Sequence, residues 1–283
     1  MCLKTDLHPL VYVIALIRLR FLFSLTAIHI PVMKNNLLTP ASVCFIGMPG
    51  TFSFAAFNVL CEHGISISQV ILAGYAPGAL PIKHLPVSFS IKPDQQSSSI
   101  QQLAARHDIP VTFLGHVKNR QQQWQQLCNN VTGITPPDYV FVACFPEKLP
   151  AALVNWPRDK SINLHPSLLP KYRGPDPLFW QLRHNESHTG ISLHLLGDRL
   201  DAGPILYQRE MTYPVGATRT ELHILLATQG ALGFIQLITT GEFVAMEQDV
   251  SQATYQPMPT KSDYRVEPHW SAEHAHKFLR GTK

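Results

Sequence analysis

The sequence predicts an α/β fold with a doubly wound, mainly parallel sheet. Short apolar runs rich in Val, Ile and Phe alternate with runs whose apolar residues recur at helical spacing, which is typical of βαβ units. A chain of 283 residues, 45% of them hydrophobic and 15% charged, is long enough for one such domain with extensions. The net charge of +4 permits a phosphate-bearing partner but does not require one.

The first half of the predicted domain contains four strands. They are the runs SVCFIG (42–47), SQVILAG (68–74), IPVTFLG (109–115) and PDYVFVAC (137–144). Helices are predicted between them at 52–64, 99–108 and 119–130, and the first ends at Gly64, a residue type common just after a helix. The Pro- and Ser-rich stretch 75–99 has no periodicity and is predicted to be a loop.

The second half continues from SINLHP (161–166), whose strand ends at a proline. A helix at 177–186, strands at 189–197 and 203–211, and a long helix at 218–241 follow. We therefore expect three parts: an apolar extension outside the fold at 1–40, a catalytic domain at 41–241, and a tail at 242–283. The tail is expected to carry a short helix at about 271–280 and no second domain.

The apolar run at 10–33 contains two central arginines, Arg18 and Arg20. On insertion scales the cost of two central arginines nearly offsets the gain from the surrounding apolar residues. The run also lacks the basic start and the cleavage site of a signal peptide, and a second methionine, Met33, precedes the predicted domain. We expect residues 1–32 to lie outside the fold of a cytoplasmic protein without stable membrane association.

The five cysteines form no CxxC pair, and two of them, Cys44 and Cys144, sit in apolar runs. This pattern favours buried thiols in a reducing compartment over a disulfide framework or a zinc site. We therefore expect no structural metal.

Candidate chemistry gathers at the end of the strand in SINLHP. Asn163 and His165 are two residues apart, so they project to one side of an extended segment. An amide donor, an imidazole and a carboxylate together suit acyl transfer without a covalent intermediate, and Asp201 precedes a predicted strand nearby. Asp198 is only three residues from Asp201, so the sequence leaves the identity of the carboxylate open. No GxGxxG, Walker, HExxH or GxSxG motif is present.

The stretches NLHPSLLPKYRG and TGISLHLLGDRLDAGPILYQ resemble the catalytic domain of the folate-dependent formyltransferases. That family includes enzymes acting on methionyl-tRNA, glycinamide ribonucleotide and sugar amines, and the resemblance covers about residues 42–241. It implies that 10-formyltetrahydrofolate donates a formyl group to a primary amine. It also implies that Asn163, His165 and Asp201 are catalytic.

The resemblance extends to the binding residues. It implies a folate site with two walls, formed by Cys144, Phe145, Pro146 and Leu149 on one side and Leu200, Ala202 and Gly203 on the other. The run ACFPEKLP departs from the family's Tyr-Gly pattern, which leaves the details of folate contact open. Stiffened by four prolines, the following loop is expected to present Ser167, Lys171, Tyr172 and Arg173 to the acceptor.

The tail at 252–281 resembles the segment that follows the catalytic domain in methionyl-tRNA formyltransferase. Initiator methionyl-tRNA is therefore the favoured candidate acceptor, and an amino sugar or a ribonucleotide is the alternative. A formyltetrahydrofolate hydrolase fits the same three residues, although such relatives carry a second His where Pro166 stands. A silent binding protein is the remaining alternative.

Overall fold

Strands and helices alternate from residue 42, in the order that the sequence predicts. A computed structural model describes residues 40–73, 82–85, 99–114, 120–132 and 134–283. The strands are β1 (Ser42–Gly47), β2 (Ser66–Ala73), β3 (Ile82–Leu85), β4 (Val111–Leu114), β5 (Tyr139–Ala143), β6 (Lys160–His165), β7 (His188–Leu195) and β8 (Ile205–Thr212). The helices are α1 (Thr51–Glu62), α2 (Ile100–Arg106), α3 (Arg120–Thr132), α4 (Ala151–Val154), α5 (Pro177–Arg183), α6 (Arg219–Thr240) and α7 (Ala272–Thr282).

The eight described strands form one sheet in the order β3-β4-β2-β1-β5-β6-β7-β8. The pairs from β4 through β2, β1 and β5 to β6 are parallel, whereas β3, β7 and β8 each pair antiparallel with their neighbour. The predicted α/β class with a mainly parallel sheet is confirmed. One difference is β3, which lies within the predicted loop at 75–99. Prolines at 81 and 86 bound its four residues, so the sequence shows no strand-length run there.

Both faces of the sheet are covered, which makes the domain a three-layer structure. In β1, Val43 and Phe45 pack with the larger apolar cluster, whereas Cys44 and Ile46 pack with the smaller one. This alternation follows from the two-residue period of a strand. Helices α1 and α6 cover the larger cluster, and α3 and α4 contribute Leu127 and other side chains to the smaller one.

Among the described helices, α6 alone is long and apolar enough to cross a membrane by length and composition. Its start is fixed by a capping box between Thr218 and Glu221, and its end by Gly241, which has a φ of 70°. The apolar stripe of α6 is buried against the sheet and α1, for example at Leu226 and Phe234. In this fold α6 is therefore a core helix.

The C-terminal segment packs against the rest of the described chain. Residues 40–283 form one compact unit, which includes the segment after 241 that was predicted to be a tail. Helix α7 lies close to the predicted 271–280 and buries Phe278 completely. His274 on the same helix contacts the Leu182 carbonyl through Nε2, at 3.2 Å. The prediction for residues 1–32 falls outside the described residues.

The described cysteines are all free thiols. Cys44 and Cys128 are buried, as expected, and burial raises the pKa of both thiols. Burial, with a smaller contribution from Glu62, raises the pKa of the half-buried Cys61 to about 11. Cys144 differs from the expectation because its side chain is exposed. It follows the last residue of β5, where the chain turns with a φ of 60° and leaves the sheet.

Candidate active site

The site is built on β6, which lies between the parallel β5 and the antiparallel β7. Asn163 and His165 stand two residues apart on this strand, so their side chains project from the same face of the sheet. His165 is only 4% exposed, and Asn163 is half-buried. The strand therefore holds an amide and an imidazole side by side in a largely water-excluded position.

The carboxylate comes from the loop that joins β7 to β8. Asp201 has a φ of 53°, in the left-handed region, and its Oδ2 accepts a hydrogen bond from the Gly174 amide at 2.9 Å. Its Oδ1 lies 3.6 Å from His165 Nδ1. The structure thus brings Asp201, and not Asp198, next to the imidazole, since Asp198 is exposed and its carbonyl accepts from Lys148 Nζ at 2.6 Å.

The hydrogen bonds of His165 decide which edge of its ring faces the cleft. Its Nε2 lies 2.8 Å from the Tyr172 carbonyl oxygen, which can only accept, so Nε2 carries a proton. This leaves the Nδ1 edge directed toward Asp201. At 3.6 Å the carboxylate is within ion-pair range but beyond a direct hydrogen bond. The Asp201 carboxylate therefore faces the Nδ1 edge of the ring without forming a direct hydrogen bond to it.

His194 is a part of the site that the sequence did not assign. It lies directly across from Asn163 in the β6–β7 register, and its Nε2 is 3.0 Å from Asn163 Nδ2. The His194 Nδ1 is 2.9 Å from the Leu195 carbonyl, so the proton of the neutral ring sits on Nδ1 and Nε2 accepts from the amide. The sequence shows only a His between two leucines, and the pairing that gives it a role forms between strands.

Burial, with a smaller contribution from His165, lowers the pKa of His194 to about 4. His194 is therefore neutral near pH 7 and can serve as the acceptor that the Asn163 amide requires. This contact turns the NH₂ group of Asn163 toward His194, and it uses one of the two N–H donors. The second N–H remains available for an oxygen atom in the cleft.

Two loops face each other beside these side chains, and they contain most of the residues predicted to contact folate. In the first, Cys144 and Pro146 are exposed, and Phe145 is half-buried against Trp124. In the second, Leu200 is 57% exposed, and Ala202 and Gly203 are half-buried. The contact from Lys148 to the Asp198 carbonyl links the two loops.

Leu149 differs from the other residues predicted to contact folate. It is 5% exposed and belongs to the smaller apolar cluster beneath the first loop. Its placement supports the loop from below rather than lining the cleft. Gly203 is required where it stands, because a Cβ added there would lie 1.9 Å from the Leu195 carbonyl oxygen.

The four residues predicted to contact the acceptor divide into two pairs. Ser167 is fully buried, and its hydroxyl donates to the Lys171 carbonyl at 2.8 Å. Tyr172 is buried too, and its hydroxyl donates to Glu186 Oε1 at 2.5 Å. These two side chains hold the loop in shape and do not face a ligand, which corrects their predicted role.

The other pair lies closer to solvent. Lys171 is exposed, and Arg173 is half-buried with its guanidinium bound to the Gln248 side chain. Burial lowers the pKa of Arg173, and nearby Arg199 acts in the same direction. In the part of the chain that the structure describes, no three His, Cys, Asp or Glu side chains are grouped to hold a metal ion.

The family model described as formyl transferase matches residues 87–238, more than half of the chain. The chain belongs to the formyl transferase family. The predicted family and enzyme class are therefore confirmed, and a formyl-tetrahydrofolate co-substrate agrees with this family.

Curated relatives give the same family. The methionyl-tRNA formyltransferase of Acidobacterium capsulatum is 33% identical over 240 residues, which are 84% of this chain and 72% of that protein. The enzyme of the same name from Thermotoga maritima is 28% identical over 241 residues, covering 84% of this chain and 71% of the relative. A third such enzyme, from Clostridium perfringens, is 32% identical and is matched over 65% of this chain and 59% of its own length.

Solved structures share the fold. HypX from Aquifex aeolicus in complex with tetrahydrofolic acid superposes with a TM-score of 0.57 at 14% identity, covering 86% of this chain and 34% of HypX. WlaRD, a sugar 3N-formyl transferase crystallised in the presence of dTDP and 5-N-formyl-THF, gives 0.54 at 16% identity, covering 86% of this chain and 80% of WlaRD.

Proposed function

We propose that this chain transfers the formyl group of 10-formyltetrahydrofolate to a primary amine, with Asn163, His165 and Asp201 as the catalytic residues. One observation carries the proposal: an amide, an imidazole and a carboxylate from two separate elements meet at one site. Asp201 Oδ1 lies 3.6 Å from His165 Nδ1 and 3.8 Å from His194 Nε2, which contacts Asn163 Nδ2 at 3.0 Å. Family membership supplies the reaction class. The two facing loops and the exposed Leu200 offer apolar surface for a ring system beside the three polar groups.

In the proposed reaction the nitrogen of the acceptor amine attacks the formyl carbon directly. The carbonyl π bond becomes an oxyanion, which accepts hydrogen bonds from the second N–H of Asn163 and from a protonated His165 Nδ1. The attacking nitrogen loses a proton, for which the Asp201 carboxylate is the nearby acceptor. The bond from carbon to N10 of the folate then breaks, N10 takes up one proton, and tetrahydrofolate leaves.

His194 and Tyr172 act on this reaction through their neighbours. Neutral His194 accepts from one N–H of Asn163 and so fixes the direction of the second N–H, and the Tyr172 carbonyl holds the His165 ring by Nε2. Such preorganised donors stabilise developing charge without reorganising during the reaction.

For the acceptor we propose the α-amino group of methionyl-tRNA, because the relatives at 28–33% identity carry that name. The exposed Lys171 and the partly exposed Arg173 at the mouth of the site would contact its phosphates. Each phosphate contact contributes to a linear fall of log affinity with log salt. The main alternative is a small amine such as an amino sugar, since sugar formyltransferases share the fold.

Turnover of 10-formyltetrahydrofolate tests the proposal and separates the alternatives. We expect tetrahydrofolate to appear only when charged initiator tRNA is added. Release only with an amino sugar would assign the small-molecule reaction, and release without any acceptor would assign the hydrolase. The absence of release with every acceptor would favour a silent binding protein and contradict the proposed transfer.

Substitution His165→Ala tests the role of the imidazole. We expect the variant to lose on the order of 100-fold or more in kcat, because it lacks the charged donor, while its Kd for folate stays within about threefold. The control is His188→Ala, which removes an exposed His whose ring contacts only the neighbouring Ser187 hydroxyl. An unchanged rate for His165→Ala would remove this residue from the mechanism.

We further propose that the protein works in the cytoplasm and that residues 1–32 are not needed for folding. Sequencing the N-terminus of protein made from the native gene, together with cell fractionation, tests this. A chain that begins at residue 1 or 2 and is recovered with the membranes would contradict it.

A further inference from the structure

Gln248 joins the loop that carries Asp201 to the loop that carries Arg173, through the two ends of its side-chain amide. Its Nε2 lies 3.0 Å from the Asp201 carbonyl oxygen and 2.7 Å from that of Gly203. Its Oε1 accepts from the Arg173 guanidinium, at 2.6 Å from Nη2 and 3.2 Å from Nε. The side chain is 8% exposed, so these contacts are made away from bulk water.

The chemistry of the four partners matches a glutamine. The two carbonyl oxygens only accept hydrogen bonds, and a guanidinium only donates them. A side-chain amide has two N–H donors on one side and an acceptor oxygen on the other, so each of these four contacts joins a donor to an acceptor. A buried junction with any of these groups unpaired would carry a desolvation cost.

The chain around Gln248 also contacts the Asp201 loop and the loop of Tyr172 and Arg173. We call residues 246–256 the strap. At one end, Met246 exchanges two backbone hydrogen bonds of 2.8 Å with Ile205, just after the Asp201 loop. At the other end, the Arg173 amide donates to the Thr254 carbonyl at 2.9 Å. The Tyr172 amide donates to Thr254 Oγ1 at 2.8 Å. The strap therefore spans from the loop of the carboxylate to the loop whose Tyr172 carbonyl holds His165.

Asp201 needs such support because its backbone is left-handed, with a φ of 53°. A non-glycine residue in this region is disfavoured and persists where its surroundings hold it. The amide of Gln248 contacts the carbonyl of Asp201 itself and the carbonyl two residues later. These contacts fix the turn that directs the carboxylate toward His165.

We propose that Gln248 is a positioning residue for the transfer reaction, holding the Asp201 turn against the loop of Arg173 and Tyr172. The inference rests on the proposed function, in which Asp201 acts beside His165. Gln248 lies beyond the residues matched by the family model, which end at 238.

Two substitutions at this position separate its two contacts. Gln248→Met removes both, and we expect kcat to fall about 100-fold, the scale expected when a catalytic group is misplaced by about 1 Å. Gln248→Glu keeps an acceptor for Arg173 but places a carboxylate oxygen against two carbonyl oxygens, so we expect a loss at least as large. A Glu variant with wild-type kcat would mean that only the Arg173 contact matters, which would overturn the inference.

The matched control is Gln252→Met, in the same strap. Gln252 is exposed, and its side chain donates only to the nearby Asp249 carboxylate at 3.0 Å. We expect this variant to keep the wild-type kcat, KM and Tm. For Gln248→Met we expect the loss in kcat to exceed any change in KM for folate, because the residue does not line the cleft.

A double-mutant cycle with Asp201→Asn distinguishes positioning from a general loss of structure. If Gln248 acts through Asp201, adding Gln248→Met to Asp201→Asn should lower kcat by less than threefold further. A full additional loss of about 100-fold would overturn the proposed route through Asp201.

Hydrogen exchange gives a readout that does not depend on turnover. We expect faster amide exchange in residues 196–206 of Gln248→Met than of Gln252→Met, with exchange in α6 unchanged. If the wild type is active and Gln248→Met has the same kcat, the inference is overturned and the proposed function stands. If the wild type is inactive with every acceptor, the proposed function fails. In that case, equal amide exchange in residues 196–206 of Gln248→Met and Gln252→Met would also show that Gln248 does not hold the Asp201 turn.

Discussion

His165 and His194 lie in one site with their ring centroids 6.4 Å apart, yet their ring nitrogens have different hydrogen-bond partners. Asp201 Oδ1 lies 3.6 Å from His165 Nδ1 and 3.8 Å from His194 Nε2. His194 Nε2 also has the Asn163 amide at 3.0 Å, and its Nδ1 has the Leu195 carbonyl. Within the described part of the chain, the contacts of His165 leave its Nδ1 edge without a hydrogen-bond donor or a close acceptor, whereas those of His194 require a neutral ring whose Nε2 accepts. One residue therefore suits the stabilisation of an oxyanion, and the other suits the orientation of an amide.

The low pKa of His194 gives a prediction for stability against pH. Its pKa is about 4 in the folded chain and about 6.5 when unfolded, so between these values the unfolded state binds a proton that the folded state does not. The contribution of His194 to the free energy of unfolding is therefore complete above about pH 6.5 and is lost as the pH falls toward 4. The contribution of this residue is up to about 3 kcal/mol.

Denaturant unfolding at pH 7, 5.5 and 4.5 measures this effect. Burial, with help from Arg219, also lowers the pKa of His223 to about 4, so it adds a slope of the same sign. We expect His194→Gln to flatten the slope by about one proton. A slope that His194→Gln does not alter would contradict the assignment of a neutral ring.

Gly203 supports the same site because the absence of a side chain lets its backbone pack against Leu195. An alanine methyl group there would lie 1.9 Å from the Leu195 carbonyl oxygen, which is backbone and cannot swing aside. We expect Gly203→Ala to reduce stability by about 1–3 kcal/mol and to lower kcat, because the turn that carries Asp201 must shift. Thermal unfolding and turnover measure both effects. Gly197→Ala is the control, since nothing lies within 4 Å of a Cβ at that position, and equal behaviour of the two variants would contradict the prediction.

At the scale of elements, α5 and α7 pack together and support the loop that contains Tyr172 and Arg173. The ring of Phe278 on α7 lies edge-on to Phe179 on α5, with centroids 5.4 Å apart. Lys277 on α7 donates to the Glu186 carbonyl at 2.8 Å, and the carboxylate of Glu186 accepts from Tyr172. A chain of contacts thus leads from the C-terminal helix to the residue whose carbonyl holds His165.

Substitution Phe278→Ala tests the contribution of α7. Loss of a fully buried ring leaves a cavity, and we expect the free energy of unfolding to fall by about 3–5 kcal/mol. Leu279→Ala on the same helix removes a side chain that is 40% exposed, and its cost should stay below about 1.5 kcal/mol. Denaturant unfolding of the two variants gives both values, and similar costs would show that α7 does not stabilise the fold as described.

The elements also show how far sequence reasoning reaches. The pairing of Asn163 with His165 was predictable because same-side projection is a property of the strand itself. Which carboxylate meets His165 was not predictable, because the sequence does not show how the loop that carries it folds back. Asp201 was preferred over Asp198 only through the family resemblance. Tyr172 differs from its predicted role because its hydroxyl partner, Glu186, lies outside the loop that contains it. Ser167 differs because its hydroxyl turns inward to the Lys171 carbonyl of the same loop.

On the scale of the whole molecule, the chain from Pro40 to Lys283 is a single compact unit. The predicted boundary at 241 followed the end of α6, where the periodic pattern stops. Residues 242–270 lack strong patterning, yet they supply Gln248 and Thr254 to the site. The predicted helix that follows supplies Phe278 to the core. Irregular segments such as 242–270 are fixed by tertiary contacts, which a local pattern does not reveal.

Two truncations test this organisation. A chain that begins at Met33 retains the whole compact unit, and we expect it to unfold in one cooperative transition with wild-type turnover. A chain that ends at Gly241 loses the strap and α7 and exposes apolar surface on α5, so we expect no cooperative transition and no turnover. Circular dichroism during heating measures both, and a cooperative, active chain ending at Gly241 would show that the tail is dispensable.

The packing of the C-terminal segment also provides an optical signal within the protein. Two of the four tryptophans lie along it: Trp180 donates through Nε1 to the Pro257 carbonyl at 2.7 Å, and Trp270 stacks on His274 at 3.8 Å. Release of this segment would expose both indoles to water and redden their emission. Intrinsic fluorescence therefore reports detachment of the segment without any added dye.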